Sequence, residues 1–291
     1  MTQRVAVVPT LRRDPEQLTV LCRALEGAGL TPRLVVNGRL LHEALASQRV
    51  EHVDTKDNAG FGSSVRAGVE GVDWEWLAIV NDDITISAEG VGGALRELWA
   101  RSSSDLILAN LDPGARRTLP TVTSVLSSVS MWATASGRIR RAAPQPIAPG
   151  HGYKSFSFVV ISRGLWDALD GLDPRYVHTY EDSDFVRRAQ AVGAEILDLD
   201  SSGVHHEGSG TGRSHLDAVL PVGVYSAWQY LCALGQPSLK ARLLLSLALL
   251  ARVPMVPVTR APMGAHLRGI ARSLHVLLTG SRPRLPRYED C

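Results

Sequence analysis

The chain has 291 residues, of which 45% are hydrophobic and 21% charged, so it can bury a sizeable core as one large domain or two small ones. Its three cysteines, Cys22, Cys232 and Cys291, lie far apart in the sequence, which excludes a cysteine metal site and shows no disulfide framework. Because the N-terminus also shows no secretory signal, we expect a cytoplasmic protein.

The net charge of +2 conceals a basic C-terminal segment. No Asp or Glu occurs between Asp217 and Glu289, an interval that holds nine Lys and Arg residues. Such a segment predicts an anionic partner, which would be a lipid head group, a membrane surface or nucleic acid. Nucleic acid is disfavoured, since the basic residues are spread through apolar sequence without interleaved aromatic residues.

Short apolar strands alternate with helices along the chain. A strand over Arg4–Val8 precedes a helix that Asp14 caps and Pro15 begins. Further apolar runs predict strands at 34–36, 50–53, 76–80, 106–109, 156–161 and 195–199, and helices at 60–69, at 94–99 and from 163. Residues 111–154, rich in Pro, Ser, Thr, Arg and Gly, predict a long excursion over the site. The alternation predicts an α/β fold, with a mostly parallel sheet flanked by helices.

Polar residues follow the predicted strands, at the edge where parallel sheets bind ligands. They form four groups: Pro9-Thr10, Asn37-Gly38, Asn58-Ala59-Gly60 and Asn81-Asp82-Asp83. We expect these groups to converge on one crevice. Carboxylates at a strand end can hold a hard divalent cation and leave room for diphosphate oxygens, although a polar turn has the same pattern. The glycines after Asn58 allow a nucleotide to approach the backbone, but they lack the ending of a P-loop.

Three carboxylates, Glu181, Asp182 and Asp184, stand at the start of a predicted helix. Like charges this close raise each other's proton affinity, and active sites use this effect to set a general base. The alternative is an acidic first turn favoured by the helix dipole. His205-His206 follow the last predicted strand, where a histidine can ligate a metal, contact a diphosphate or simply belong to a loop.

The order of these motifs resembles the inverting GT-A glycosyltransferases of family 2, especially their bacterial rhamnosyltransferase-like branch. The resemblance extends from Val5 to about Gly212, which is most of the chain. Its segments are Val5–Thr10, Asn58–Gly62, Asn81–Asp83, Gly171–Asp173, Tyr180–Asp184 and Val204–His206. At the family's Asp-x-Asp signature this chain has Asn81 in the first place, and Asn37 stands where an acid is common.

The resemblance implies a GT-A (Rossmann-like) fold and transfer, with inversion, of a sugar from a nucleotide-diphosphate donor such as dTDP-rhamnose or a UDP- or GDP-sugar. Asp182 matches the general base, with Glu181 and Asp184 as supporting acids. Asp83 and His205 match the ligands of a divalent cation, Mg²⁺ or Mn²⁺. The other matched residues would line the nucleotide sugar: Pro9, Thr10, Asn37, Asn58, Gly60, Asn81 and Asp82.

We expect a catalytic domain over residues 1–217, with a nucleotide-sugar half (1–110) and an acceptor half (111–217), followed by a helical extension over 218–291. The extension has an apolar helical face made of Leu267, Ile270, Ala271, Leu274, Leu277 and Leu278. This face suits either packing on the domain or peripheral contact of residues 218–288 with the inner face of the cell membrane. A glycan or lipid-linked acceptor fits the mixture of apolar and cationic residues in this extension.

Two other functions stay open. A sugar nucleotidyltransferase also combines such a sheet with metal and nucleotide, but it needs glycines after the first strand, and residues 10–14 have none. The second alternative is a non-catalytic, membrane-associated module that keeps the fold. The presence of Asp83, Asp182 and His205 argues against that module.

Overall fold

The computed structural model describes residues 3–10, 14–37, 45, 52–55, 58–101, 105–132, 152–206, 216–258 and 262–285. Its strands are β1 Gln3–Thr10, β2 Thr31–Val36, β3 His52–Asp54, β4 Trp74–Val80, β5 Ile84–Ile86, β6 Ile107–Asn110, β7 Phe158–Ser162, β8 Glu195–Asp198 and β9 Val204–His206. Seven of them form one sheet in the order β3-β2-β1-β4-β7-β6-β8. In this sheet, as far as it is described, β7 alone runs antiparallel to its neighbours. The predicted mostly parallel sheet is confirmed.

Helices cover both faces of this sheet. They are α1 Pro15–Gly27, α2 Phe61–Val69, α3 Ala88–Arg101, α4 Val122–Val129, α5 Arg163–Ala168, α6 Glu181–Ala191, α7 Leu216–Ala233, α8 Ser238–Arg252 and α9 Met263–Thr279, with a 3-10 turn at Val253–Val258. Helices α1 and α3 pack on one face, and α2, α5 and α6 pack on the other. Because both faces are covered, strands such as β7 are buried along their whole length and have continuous apolar sequences.

Strands β5 and β9 form a small second sheet beside the first. They pair antiparallel, with Thr85 opposite His205 and Ile84 opposite His206. The sequence does not predict this pair, because the pairing joins two short segments that lie far apart in the chain. Because Asn81–Asp83 lie between β4 and β5, the pairing brings the histidine segment to the end of β4.

Helix α4 and the C-terminal helices α7, α8 and α9 form a third hydrophobic cluster. The cluster includes Tyr176, which lies just before α6, so the C-terminal helices pack against the chain that leads to the acidic residues. Helix α4 falls within the predicted excursion of residues 111–154, where Thr121 and Ser124 form a capping box at its start. The part of that excursion from 133 to 151 lies outside the described residues.

The predicted apolar face of α9 is divided between the protein interior and its surface. Ile270 and Leu277 are buried in the helical cluster, whereas Leu267 and Leu278 are 42% and 76% exposed. Packing on the protein therefore uses about half of this face. Within the ranges that the structure describes, no helix combines the length and the hydropathy needed to cross a membrane.

Candidate functional site

The acidic residues begin α6 immediately after two residues with left-handed backbone conformations. Thr179 and Tyr180 have φ angles of 68° and 67°, which for residues with a Cβ atom cost about 1–3 kcal/mol each. Tyr180 stacks on Tyr230 of α7, with ring centroids 5.1 Å apart. Helix α7 therefore helps to hold the strained turn that positions the first residues of α6.

Glu181 and Asp182 are neighbouring carboxylates in different surroundings. Glu181 is buried, and its Oε2 atom has no hydrogen-bond partner among the described residues. Asp182 Oδ1 accepts hydrogen bonds from the Ser183 backbone N–H at 2.6 Å and from the Ser183 hydroxyl at 3.1 Å.

These surroundings act differently on the pKa values of the two carboxyl groups. Burial, and after it the charge of Asp182, raises the pKa of Glu181. Burial also raises the pKa of Asp182, but the hydrogen bonds from Ser183 and the charge of Arg117 oppose that rise. Because donors outside its own backbone stabilise the charged form of Asp182 but not that of Glu181, we expect Glu181 to hold the proton of the pair.

We expect Glu181→Gln to stabilise the protein increasingly as pH rises. The raised pKa means that folded protein retains a proton that the unfolded chain releases above about pH 4.5, so the wild-type free energy of unfolding falls above that pH. Glutamine has no such proton to lose. Urea unfolding at pH 5 and pH 8 should show the variant gaining roughly 1–3 kcal/mol at the higher pH, with the exposed Glu70→Gln as control. A difference that does not change with pH would contradict the protonation of Glu181.

Asp184 is held in an ion network on α6. It is 1% exposed, and its two oxygens accept hydrogen bonds of 2.7 Å from Arg187 and Arg188. Arg188 also donates to the carbonyl groups of Leu169 and Gly171. The two guanidinium groups compensate the charge of this buried carboxylate. Through Arg188, Asp184 therefore ties α6 to the turn after α5.

Glu181 and Asp182 line a cavity of about 610 Å³ whose walls include residues of α4, α6 and α7. Arg117 and Tyr153 also line it, and their backbones exchange two hydrogen bonds of 2.8 Å. Of the strand-end residues predicted to line a nucleotide sugar, Asn81 is a wall residue of this cavity. The end of β4 and the start of α6, distant in the sequence, thus face one space.

Other strand-end residues are joined to one another by hydrogen bonds. The Thr10 hydroxyl donates to Asp82 at 2.8 Å, and the Asn37 backbone N–H donates to the Thr10 carbonyl at 3.1 Å. The side-chain oxygen of Asn37 accepts hydrogen bonds from Thr55 and Ser64. These bonds bring Thr10, Asn37 and Asp82 together at the carboxyl edge of the sheet, as the sequence predicts. They also engage the Asn37 side chain within the protein.

Gly60 joins this edge to the segment that precedes α6. Its φ is 102°, and a Cβ atom at this position would lie 2.1 Å from the carbonyl oxygen of Val177. Only glycine tolerates both the backbone conformation and the close approach. Asn58 lies half-buried just before Gly60, and Pro9 lies half-buried at the end of β1.

Asp83 and His206 meet where β5 pairs with β9. Asp83 is buried, and its Oδ2 atom lies 3.3 Å from Nε2 of His206. On the other side of the imidazole, Asp112 Oδ2 lies 3.8 Å from Nδ1. His205, the predicted metal ligand, is exposed, because successive residues of a strand point to opposite faces. His206 is therefore the histidine that lies beside Asp83.

The chemistry of these side chains suits a divalent cation that is shared with a substrate. A carboxylate and an imidazole are both ligands of Mn²⁺, and a carboxylate is a ligand of Mg²⁺. Across the described ranges, no group of three or more His, Cys, Asp or Glu side chains is arranged to hold a metal ion. Asp83 and His206 thus fit a cation that takes its further ligands from a bound molecule.

Arg117, Tyr153 and His206 were not among the residues predicted for the site. Arg117 acts on Asp182, and Asp182 in turn adds to the effect of burial in raising the pKa of Tyr153. Both Arg117 and Tyr153 lie within the predicted excursion of residues 111–154. Composition alone indicates that such a segment lies over a site, but it does not select the residues that face it.

Comparison with known proteins adds a likeness of overall structure. No protein-family model matches the chain, and no curated protein matches its sequence. The mannosyltransferase PcManGT from Pyrobaculum calidifontis, solved with GDP-Man and Mn²⁺, matches with a TM-score of 0.49 and 12% identity, over 97% of this chain and 88% of that one. TarS (1–349) from S. aureus, solved alone and with UDP, matches with a TM-score of 0.48 and 14% identity, over 96% and 92%. The fold assignment rests on the strand order and not on these similarities.

Proposed function

We propose that the protein is an inverting glycosyltransferase that moves a sugar from a nucleotide-diphosphate donor to an acceptor hydroxyl. The observation that carries the proposal is the shared cavity, in which the carboxyl groups of Glu181 and Asp182 face Asn81 at the end of β4. The motif order, which resembles family 2, supports the same reaction. Its rhamnosyltransferase-like branch suggests dTDP-rhamnose as donor, with UDP- and GDP-sugars as the alternatives.

In this reaction Asp182 is the general base. Its carboxylate accepts the proton of the acceptor hydroxyl while the acceptor oxygen forms a bond to the anomeric carbon. The bond from that carbon to the diphosphate oxygen breaks, and the nucleoside diphosphate leaves with the electron pair. Attack from the face opposite the leaving group inverts the anomeric centre. Ser183 holds the Asp182 carboxylate in place, and burial raises the pKa of the neighbouring Glu181, which disfavours a second negative charge beside it.

The donor would lie at the carboxyl edge of the sheet, in the half formed by residues 1–110. Pro9, Thr10, Asn37, Asn58, Gly60, Asn81 and Asp82 would line the nucleotide sugar, as the resemblance implies. Asp83 and His206 would hold Mg²⁺ or Mn²⁺, so that His206 takes the role that the resemblance assigned to His205. When bound, such a cation neutralises the charge that develops on the leaving diphosphate.

The acceptor, a glycan or a lipid-linked glycan, would bind to the half formed by residues 111–217 together with the C-terminal helices.

A peripheral membrane contact through residues 218–288 is supported by exposed leucines on α8, which are Leu239, Leu243, Leu247 and Leu250. Their spacing places them on one side of the helix. Sedimentation of the protein with vesicles that contain anionic lipid tests this contact, and protein that stays in the supernatant would count against it.

A thermal-shift screen of UDP, GDP and dTDP, with and without Mn²⁺, tests the proposed donor class. A ligand at roughly one hundred times its Kd stabilises the folded state by about 2.7 kcal/mol. We expect one nucleotide to raise Tm, and to raise it further with Mn²⁺. Asp83→Asn should remove the part of the Tm increase that depends on Mn²⁺. If none of the nucleotides changes Tm, the proposed donor class is wrong.

A further inference from the structure

Arg252, the last residue of α8, is a buried cation that lines the same cavity as Asp182. Its exposed fraction is 8%, and it follows a nearly continuous apolar run over residues 243–251. Its Nη1 donates to the Val129 carbonyl at 2.8 Å, and its Nε donates to Nε2 of His266 at 2.7 Å. His266 is fully buried, and burial followed by the charge of Arg252 lowers its pKa. Both hydrogen-bond partners of Arg252 are therefore neutral.

The structure describes no carboxylate that compensates the charge of Arg252. The chain has no acidic residue between Asp217 and Glu289, so its own helix and the neighbouring α9 cannot supply one. Burial lowers the pKa of Arg252 to about 10, and no carboxylate among the described residues opposes that effect. The guanidinium nevertheless stays charged at neutral pH. A buried cation is costly unless an anion pairs with it.

The guanidinium also has donors to spare. It carries five N–H groups, and the two hydrogen bonds in the described structure use two of them. Ser128 of α4 lines the same cavity and offers a hydroxyl group. Arginine binds phosphate and carboxylate groups through paired, charge-assisted hydrogen bonds.

We propose that Arg252 binds an oxyanion, a phosphate or a carboxylate, carried by the acceptor substrate. This inference rests on the proposed function, because it assigns the cavity next to Asp182 to the acceptor. The surroundings of Arg252 favour the acceptor over the donor. It is held by α4 and α9 in the helical cluster, whereas the hydrogen-bonded Thr10, Asn37 and Asp82 lie at the sheet edge and are not wall residues of this cavity.

The test measures binding of three small probes to the full chain, with and without the nucleoside diphosphate that the screen identifies. The probes are glycerol 3-phosphate, glycerate and glycerol at matched ionic strength, and the readout is calorimetric titration. We expect at least one of the two anions to bind tenfold or more tightly than glycerol. Binding of glycerol 3-phosphate alone would assign a phosphate, and binding of glycerate alone a carboxylate.

Two variants locate the binding at Arg252. Arg252→Gln removes the charge, and Ser128→Asp, at an exposed position next to Val129, adds a carboxylate to the wall of the same cavity without removing the buried hydrogen bonds. Both should lower anion affinity at least tenfold, whereas Arg268→Gln, an exposed arginine on α9, should not change it.

Other outcomes overturn the inference in distinguishable ways. If wild type does not prefer either anion to glycerol, or if both variants keep the preference, Arg252 is a structural residue only. If Arg252→Gln weakens nucleoside diphosphate binding and leaves the anion probes unaffected, the oxyanion belongs to the donor. If no nucleoside diphosphate binds but Arg252-dependent anion binding persists, the proposed function fails and the anion site remains.

Discussion

Asp182→Asn should lower kcat by roughly 10²–10⁴-fold, the usual contribution of a general base, while the Kd for the nucleoside diphosphate stays within about twofold of wild type. Asparagine keeps the oxygen that accepts hydrogen bonds from Ser183, so the start of α6 should not rearrange. It cannot take a proton from the acceptor hydroxyl. Steady-state transfer to acceptor, combined with calorimetric titration of the nucleotide, measures both quantities.

Stability separates a catalytic from a structural role for Asp182. Burial raises the pKa of this carboxyl, which means that its charge is held at a cost in free energy. The variant should therefore be at least as stable as wild type at neutral pH. Asp167→Asn, an exposed carboxylate paired with Arg163 on α5, is the matched control and should keep full activity. Full turnover by Asp182→Asn would show that the base is another group.

Gly60→Ala should lower the free energy of unfolding by roughly 3 kcal/mol or more. Backbone strain and steric overlap together cost more than an ordinary surface substitution does. The new Cβ atom would lie 2.1 Å from the Val177 carbonyl oxygen, on a backbone with φ of 102°. Val177 cannot move away freely, because its backbone N–H and that of His178 donate to the buried hydroxyl of Ser226 on α7. Urea unfolding measures the loss.

Gly71→Ala is the control that isolates the overlap from the backbone strain. Gly71 also has a positive φ, of 71°, but a Cβ atom there meets nothing within 4 Å. Gly71→Ala should lower the free energy of unfolding by about 1 kcal/mol, which is the effect of the backbone conformation alone. If both variants lose the same stability, the contact between Gly60 and Val177 is not restrictive, and the sheet edge is not rigidly joined to the start of α6.

The main sheet was predictable because its strands are buried on both faces. Continuous apolar runs such as Trp76–Val80 and Phe158–Ile161 carry a strong local signal, and Asp14 with Pro15 marks the start of α1. The order of the strands and the antiparallel direction of β7 were not predictable, because they depend on pairings between segments far apart in the chain. The small sheet of β5 and β9 was missed for the same reason.

Some residues of the candidate site were predictable from the sequence, and others were not. Asp182 stands out in the sequence because three acids crowd one helical turn, yet the same signal includes Asp184, which the structure pairs with Arg187 and Arg188. The choice between His205 and His206 depends on which face of β9 points toward Asp83. Arg252 was visible only as a lone charge that ends an apolar run.

By itself, the sequence determined the α/β class, the strand-end groups of Asn, Asp and Gly, and the crowded carboxylates that begin α6. These features are local, since they arise from hydrophobic periodicity, turn chemistry and like charges within a few residues. Only the tertiary structure decided which carboxylate accepts hydrogen bonds from Ser183, which histidine meets Asp83, and that a cation from the C-terminal helices lines the cavity of Asp182. Each of these depends on burial and on contacts between distant segments, because removal from water and the partners that replace it set the charge state of a side chain.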